Sequence, residues 1–329
     1  VVFDEQMKKV PVILDTDIGN DIDDSWALTF LLKSPEIDLQ YILAATGDTE
    51  YRARIIAKML LTAGRTDIPI GIGRATRDLG KTLESWLGEF DLKDWPGTVH
   101  SNGATELVRV VMSMEKSPVI LCIGPMTNLA DALDLEPKLA GRCHLVAMSG
   151  SIARHEDGRD GQIAEWNVRQ DITSARKVYS APWKSIRIAP LDSCGILRLN
   201  GDDLQRVRKA DCRLVRSLME SVDCWARSVN HSEWPERSSI LFDTVAAYLC
   251  FETEHLKMER LNLLIDEQGF MRRSAQGAAV DCALDWQDIN GFKQMLAERL
   301  TENFPVRGDD PEFCKLATGS CMADGGFQK

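Results

Sequence analysis

The sequence predicts a single-domain α/β fold, an open and mostly parallel sheet flanked by helices. Two observations carry that expectation. Short apolar runs rich in β-branched residues alternate along the chain with longer helical patterns, the order of parallel strands joined by crossover helices. The 329 residues suffice to bury a large core, and neither an internal repeat nor a Pro/Ser-rich linker divides them. Residues 1–305 therefore read as one domain, and 306–329 as a flexible C-terminal tail.

The elements follow in order. Val10, Val12, Ile13 and Leu14 form a buried strand, and Ala27, Leu28, Phe30, Leu31 and Leu32 give the apolar face of a helix. Leu39 to Ala45 is a second strand, closed by Thr46-Gly47-Asp48, and Tyr51 to Ala63 a helix. Ile68 to Gly73 is a short third strand. Residues 78–103 are irregular and carry Trp86, Trp95 and His100, a candidate wall over a site. Thr105 to Met114 reads as a helix and Val119 to Ile123 as a strong strand. Gly124 and Pro125 then turn the chain into a helix starting near Thr127 or Asn128. His144 to Met148 is the next strand, followed by a polar loop from Ser149 to Gln162 and the tetrapeptide Ala164 to Asn167. Ile186 to Ala189 is a strand ending at Leu191-Asp192. Long helical patterns cover Gly201 to Ser228 and Ser238 to Phe251. Leu261 to Ile265 and Val280 to Ala283 suggest late strands, and Asn290 to Leu300 a last helix.

Between the first strand and first helix stand five aspartates within ten residues: Asp15, Asp17, Asp21, Asp23 and Asp24. Like charges so close at a strand end repel, and burying them is costly unless a cation binds or water screens them. Hard oxygen donors of this kind suit Ca²⁺ or Mg²⁺ and not zinc. Acidic runs are usually solvated loops, but this one is clamped between two apolar segments. One aspartate can cap the helix; five exceed that need. An EF-hand loop fails, because Trp26 occupies the twelfth position, where the bidentate glutamate belongs. In an open parallel sheet the ligand site lies outside the carboxyl ends of the strands. That rule gathers Asp17 to Asp24, Asp48, Ile123 and the Glu165–Asn167 loop.

Bulk properties exclude other classes. A formal net charge of −11 argues against a nucleic-acid binder, which needs a basic face. No apolar run reaches membrane-spanning length. The nine cysteines are scattered, without a CxxC pair, which favours free thiols in a reducing, cytoplasmic setting. Cys314 and Cys321 sit in a Gly-rich tail and are candidates for pairing. The chain opens on Val1 and not Met, which leaves a processed or secreted form as the alternative.

DTDIGNDIDD after the first strand, ATGD after the second, IGPMTN after a later one, AEWN and LFDTVAAYL together resemble the nucleoside hydrolases. These are also called inosine-uridine-preferring nucleoside hydrolases or nucleoside N-ribohydrolases. The similarity runs in matching order from about Val10 to Leu300. It implies the Rossmann-like fold of that family and a calcium enzyme that cleaves the N-glycosidic bond of ribonucleosides with water. Asp17 matches the general base that activates the metal-bound water and also touches the metal. Asp24 matches a bidentate calcium ligand, Asp243 the remaining carboxylate ligand, and Ile123 a main-chain carbonyl ligand. Asp23, Asp48, Glu165 and Asn167 match ribose-binding positions. Dimers or tetramers, and a role in nucleoside salvage or catabolism, are implied likewise.

Two departures stand out. The aspartate loop is longer than the commonest form, so Asp21 competes for the role given to Asp23. Phe242 precedes Asp243, where inosine-uridine enzymes often carry a histidine that assists the leaving base. Trp234, with His231 and Arg237, precedes the Asp243 helix and is a candidate lid supplying stacking or an acid. Trp86 and Trp166 read more readily as core than as base-stacking residues, Asn128 as a helix cap, and Asp48 equally as an Asx-turn. Two rival functions remain. A Mg²⁺-dependent aspartyl phosphohydrolase gives no reason for AEWN or LFD, and a non-catalytic calcium- or nucleoside-binding protein of the same fold fits the missing histidine.

Overall fold

The computed structural model describes residues 9–77 and 80–302. Strand β1 (Val10–Thr16) is buried from Val12 onward and leads into α1 (Asp23–Leu32). Then come β2 (Ile37–Ala44), α2 (Thr49–Thr62) and β3 (Ile70–Ile72). The irregular stretch holds α3 (Glu84–Leu87) and the two-residue β4 (Val99–His100). α4 (Gly103–Ser113), β5 (Val119–Cys122), α5 (Thr127–Leu135) and β6 (His144–Met148) continue the alternation. α6 (Trp166–Gln170), α7 (Ile172–Ser180) and β7 (Ser185–Ala189) follow. A helical layer comprises α8 (Leu191–Cys194), α9 (Gly201–Arg208), α10 (Arg213–Ser228) and α11 (Phe242–Leu249). β8 (Leu256–Ile265), β9 (Met271–Arg273), β10 (Ala278–Trp286) and α12 (Ile289–Thr301) close the described chain.

Among the described residues the strands form one ten-stranded sheet, ordered β4-β3-β2-β1-β5-β6-β7-β10-β8-β9. β1 pairs in parallel with both β2 and β5, so Leu14 stands beside Ile42 and Leu121. β10 joins β7 in parallel, and β8 runs antiparallel to both β10 and β9. The order of strands reverses between β1 and β5, and a crevice opens at the carboxyl ends where such a reversal occurs. Side chains alternate across β1. Val12 and Leu14 enter the apolar layer shared with α1, α2 and α11, while Ile13 enters the layer shared with α4, α5 and α7. Both faces of the sheet are therefore covered, which is why these strands read as continuous apolar runs.

The expected mostly parallel α/β sheet is present, with differences in detail. The pattern from Gly201 to Ser228 divides because Cys212 is extended (φ −112°, ψ 128°). That break lets α9 pack on α12 while α10 packs on α1 and α2. The Asp243 helix starts at Phe242 and not Ser238, because the Ser238 hydroxyl accepts from Leu199 N at 2.9 Å and donates to Ser239 O at 2.6 Å. Trp86 and Trp95 pack into the core beside α2 and wall no site, with Lys58 Nζ 4.4 Å from the Trp86 ring. β4 and β9 are too short to leave a pattern. The seven described cysteines are buried free thiols. The expected tail, with Cys314 and Cys321, lies outside the described residues. Among the described residues no helix is long and apolar enough to cross a membrane.

Candidate active site

The β1–α1 loop is built to hold carboxylates inside the protein. Gly19 adopts φ +106°, and a Cβ there would meet Ile55 and come within 2.8 Å of Tyr51 Cε1. Only glycine fits that left-handed, tightly packed position. The Tyr51 hydroxyl donates to Gly19 O at 3.0 Å and accepts from Leu83 N at 2.8 Å, fastening the loop to α2. Arg52, 2 % exposed, donates to Thr46 O at 2.7 Å and to Ile18 O at 2.8 Å, so one guanidinium ties the loops after β1 and β2 together. The Thr16 hydroxyl donates to the Asp24 carboxylate. Asp15 is wholly buried behind this loop, and Asn128 Nδ2 donates to its Oδ1 at 2.7 Å and to Ala44 O at 3.2 Å. Asn128 is thus a strut between α5 and two strands, not the helix cap its position suggested; the cap residue is Met126.

The loop delivers Asp23 and Asp24 to the first turn of α1, and α11 packs beside α1 and delivers Asp243. One carboxylate oxygen from each of the three lies within 4.8 Å of the others, and all three residues are buried. Burial, compounded by mutual repulsion, pushes all three carboxyls well above the usual range. Burial also raises Asp17, against the opposing charge of Arg52. Ionised together, four acids beside one partly compensating arginine would leave an excess of negative charge inside the protein. A hard divalent cation answers that excess, and the all-oxygen donor set fits one.

The opposite wall comes from β5 and α6. Glu165 caps α6, its carboxylate accepting from Asn167 N at 2.6 Å, Val168 N at 3.3 Å and Gly150 N at 3.0 Å. Burial nonetheless lifts it to about 7. Asn167 Nδ2 donates to Ile123 O at 3.1 Å and Met148 O at 3.3 Å, joining this wall to the ends of β5 and β6. Asp192 holds the connecting loop from behind, accepting from Ile152 N and Ala153 N at 2.8 Å each.

These walls enclose a cavity of about 420 Å³. Its lining contains Asp17, Asp21, Asp23, Asp24, Ile123, Glu165, Asn167, Phe242 and Asp243. The other expected site residues lie elsewhere. Asp48 caps α2, accepting from Tyr51 N at 3.0 Å, and pairs with Lys81 at 2.7 Å, which is the Asx-type role weighed for it. Trp234 donates from Nε1 to Asp223 Oδ1 at 2.7 Å, beneath Arg208, and lies outside the lining. His231 packs against Trp225 with ring centroids 5.1 Å apart and the rings tilted by 50°, outside the lining.

Three polar or charged lining residues were not among the expected site residues: Asn20, Glu156 and Arg169. Trp166 reverses its expectation, being 41 % exposed on the lining and not part of the core. The alternation Glu165 in, Trp166 out, Asn167 in was the available signal.

The chain is similar to known proteins over most of its length. It matches the family model "Inosine-uridine preferring nucleoside hydrolase" across residues 12–298. The pyrimidine-specific ribonucleoside hydrolase RihA of Salmonella typhimurium is 26% identical over 321 residues, covering 88% of this chain and 98% of that protein. RihA of Citrobacter koseri is 27% identical with the same coverage of each chain. Among solved structures, a plant nucleoside hydrolase superposes with a TM-score of 0.74 at 19% identity, over 89% of this chain and 99% of that one. A purine-preferring ribonucleoside hydrolase from Gardnerella vaginalis gives 0.71 at 19% identity, over 88% and 99%. With the family model matched from the first strand through the last helix, this chain belongs to the inosine-uridine preferring nucleoside hydrolase family.

Proposed function

We propose that this family member hydrolyses the N-glycosidic bond of ribonucleosides, with Ca²⁺ as its cofactor and Asp17 as the base that deprotonates the attacking water. The observation that carries the reading is the convergence of buried Asp23, Asp24 and Asp243 at the floor of a nucleoside-sized cavity, with Asp17 and the end of β5 in the same lining. Asp17, Asp24, Asp243 and the Ile123 carbonyl would hold the cation, which would orient a water and lower its pKa. Asp17 accepts the proton as the water attacks the anomeric carbon. The departing bond leaves positive character on the sugar, and the dense carboxylates favour it electrostatically. Asp23, on the same lining, would accept from the ribose hydroxyls. Glu165 and Asn167, fixed by their own backbone bonds, shape the sugar wall and keep acceptor capacity for further hydroxyls. Binding energy spent on the sugar positions the bond for attack.

A panel of purine and pyrimidine ribonucleosides, assayed for reducing-sugar release with and without chelator, tests the reading. Chelator-sensitive release that Asp17→Asn removes supports it. Nucleoside binding without sugar release makes the protein a binding module of the same fold.

A further inference from the structure

The cavity carries a marked charge asymmetry. Its lining holds seven acids, Asp17, Asp21, Asp23, Asp24, Glu156, Glu165 and Asp243, and one cationic side chain, Arg169. Arg169 stands on α6 and is exposed, its guanidinium carbon 5.5 Å from the Trp166 ring centroid. Among the described residues it makes no ion pair and no side-chain hydrogen bond, unlike Arg52, which donates to two carbonyls and lies beside Asp17. A guanidinium held on an aromatic face with its donors free is preorganised for planar acceptors.

The chemistry gives such a group a role. Breaking the glycosidic bond sends its electron pair to a ring nitrogen of the base, so the base departs as an anion unless it is met by a proton or a positive charge. The carboxylates that favour the developing sugar cation oppose that anion. Phe242, beside Asp243 in the lining, has no proton to give.

We propose that Arg169 is a catalytic residue of this hydrolase: carried on Trp166, its guanidinium hydrogen-bonds the acceptor atoms of the leaving nucleobase and stabilises the charge the base acquires. The assignment rests on the nucleoside-hydrolase reading and deepens it. In the balanced step the bond from the anomeric carbon to the base nitrogen breaks with both electrons going to nitrogen. A water oxygen bonds to that carbon, the water's proton goes to Asp17, and the base anion takes a proton from solvent. Recognition is then of any base presenting carbonyl oxygens or unprotonated ring nitrogens, purine or pyrimidine.

The test compares wild type, Arg169→Met and Arg169→Lys on uridine, inosine and p-nitrophenyl β-D-ribofuranoside, whose leaving anion is stable without help. The expected result is a loss of kcat on the nucleosides on the order of 10- to 100-fold in Arg169→Met. The ratio of nucleoside to nitrophenyl-riboside turnover falls with it, and inhibition by the free bases weakens. Arg169→Lys recovers part of the ratio, since it keeps the charge but not the fork. Equal losses on all three substrates place Arg169 on the sugar and overturn the assignment, as does an unchanged ratio. A wild type inactive on the nitrophenyl riboside as well as the nucleosides overturns the hydrolase reading itself, which separates the two failures.

Discussion

Arg52 Nη2 lies 3.9 Å from Asp17 Oδ2, near enough for attraction and too far for a hydrogen bond. The guanidinium donates from Nε to Thr46 O and from Nη1 to Ile18 O, which fixes it where Nη2 gives Asp17 a favourable field without a hydrogen bond on its lone pairs. The proposed base is thereby helped to ionise inside the protein while remaining free to accept a proton.

Removing that guanidinium leaves two buried carbonyls unpaired and the carboxylates uncompensated. Arg52→Met is expected to destabilise the protein by about 2–5 kcal/mol, with Arg52→Lys intermediate. Urea unfolding of the three proteins measures it. A loss below about 0.5 kcal/mol would show that the carbonyl bonds are dispensable.

Asp17→Asn keeps the shape of the site and removes the proton acceptor. Nucleoside turnover is expected to fall by about 10²–10⁴-fold with the unfolding midpoint little changed. Turnover within a few-fold of wild type, measured by reducing-sugar release, would assign the base to another carboxylate.

The Asp23–Asp24–Asp243 cluster predicts a link between cation binding and stability. Calcium at about 100 times its dissociation constant is expected to stabilise the protein by about 2.7 kcal/mol. Asp243→Asn should abolish most of that gain. It should also leave the metal-free protein at least as stable as wild type at neutral pH, because folding no longer has to bury a charge at that position or take up a proton to avoid it. Thermal scans with chelator and with calcium read both effects, and an identical calcium shift in the variant would remove Asp243 from the ligand set.

Asp15 and Glu165 are both raised by burial to about 7, from ordinary values of 3.8 and 4.5. Raised carboxyls make the folded state bind more protons than the unfolded chain. Their contribution is full below the ordinary carboxylate range and is lost as pH rises through about 7. Chelated protein should therefore lose stability between about pH 4 and pH 7, and calcium should flatten the slope. A chelated protein whose urea midpoint rises across that window would contradict these assignments.

Much of the fold was legible because both faces of the sheet are covered, so β1, β2, β5, β6 and β7 all leave apolar runs. His144–Met148 falls where its pattern put it. The break at Cys212 and the late start of α11 were not legible. Each depends on a partner distant in sequence, α12 and α1 for the first and Leu199 for the second.

The site divides the same way. From the sequence by itself come the α/β class, the acidic loop at the end of β1, its likeness to the nucleoside hydrolases, and the pairing of Glu165 with Asn167 around one turn. These are local: they follow from apolar periodicity and from charges crowded within a few positions. Only the tertiary structure decided that Asp48 caps a helix, that Trp234 lies outside the cavity, that Arg52 stands beside Asp17, and that Trp166 and Arg169 face the cavity. Those outcomes turn on which surfaces meet when α1, α2, α6 and α11 dock on the sheet. A carboxylate or guanidinium has the same local preferences whether it ends beside a cavity, a helix terminus or water. Its surroundings after packing select among them.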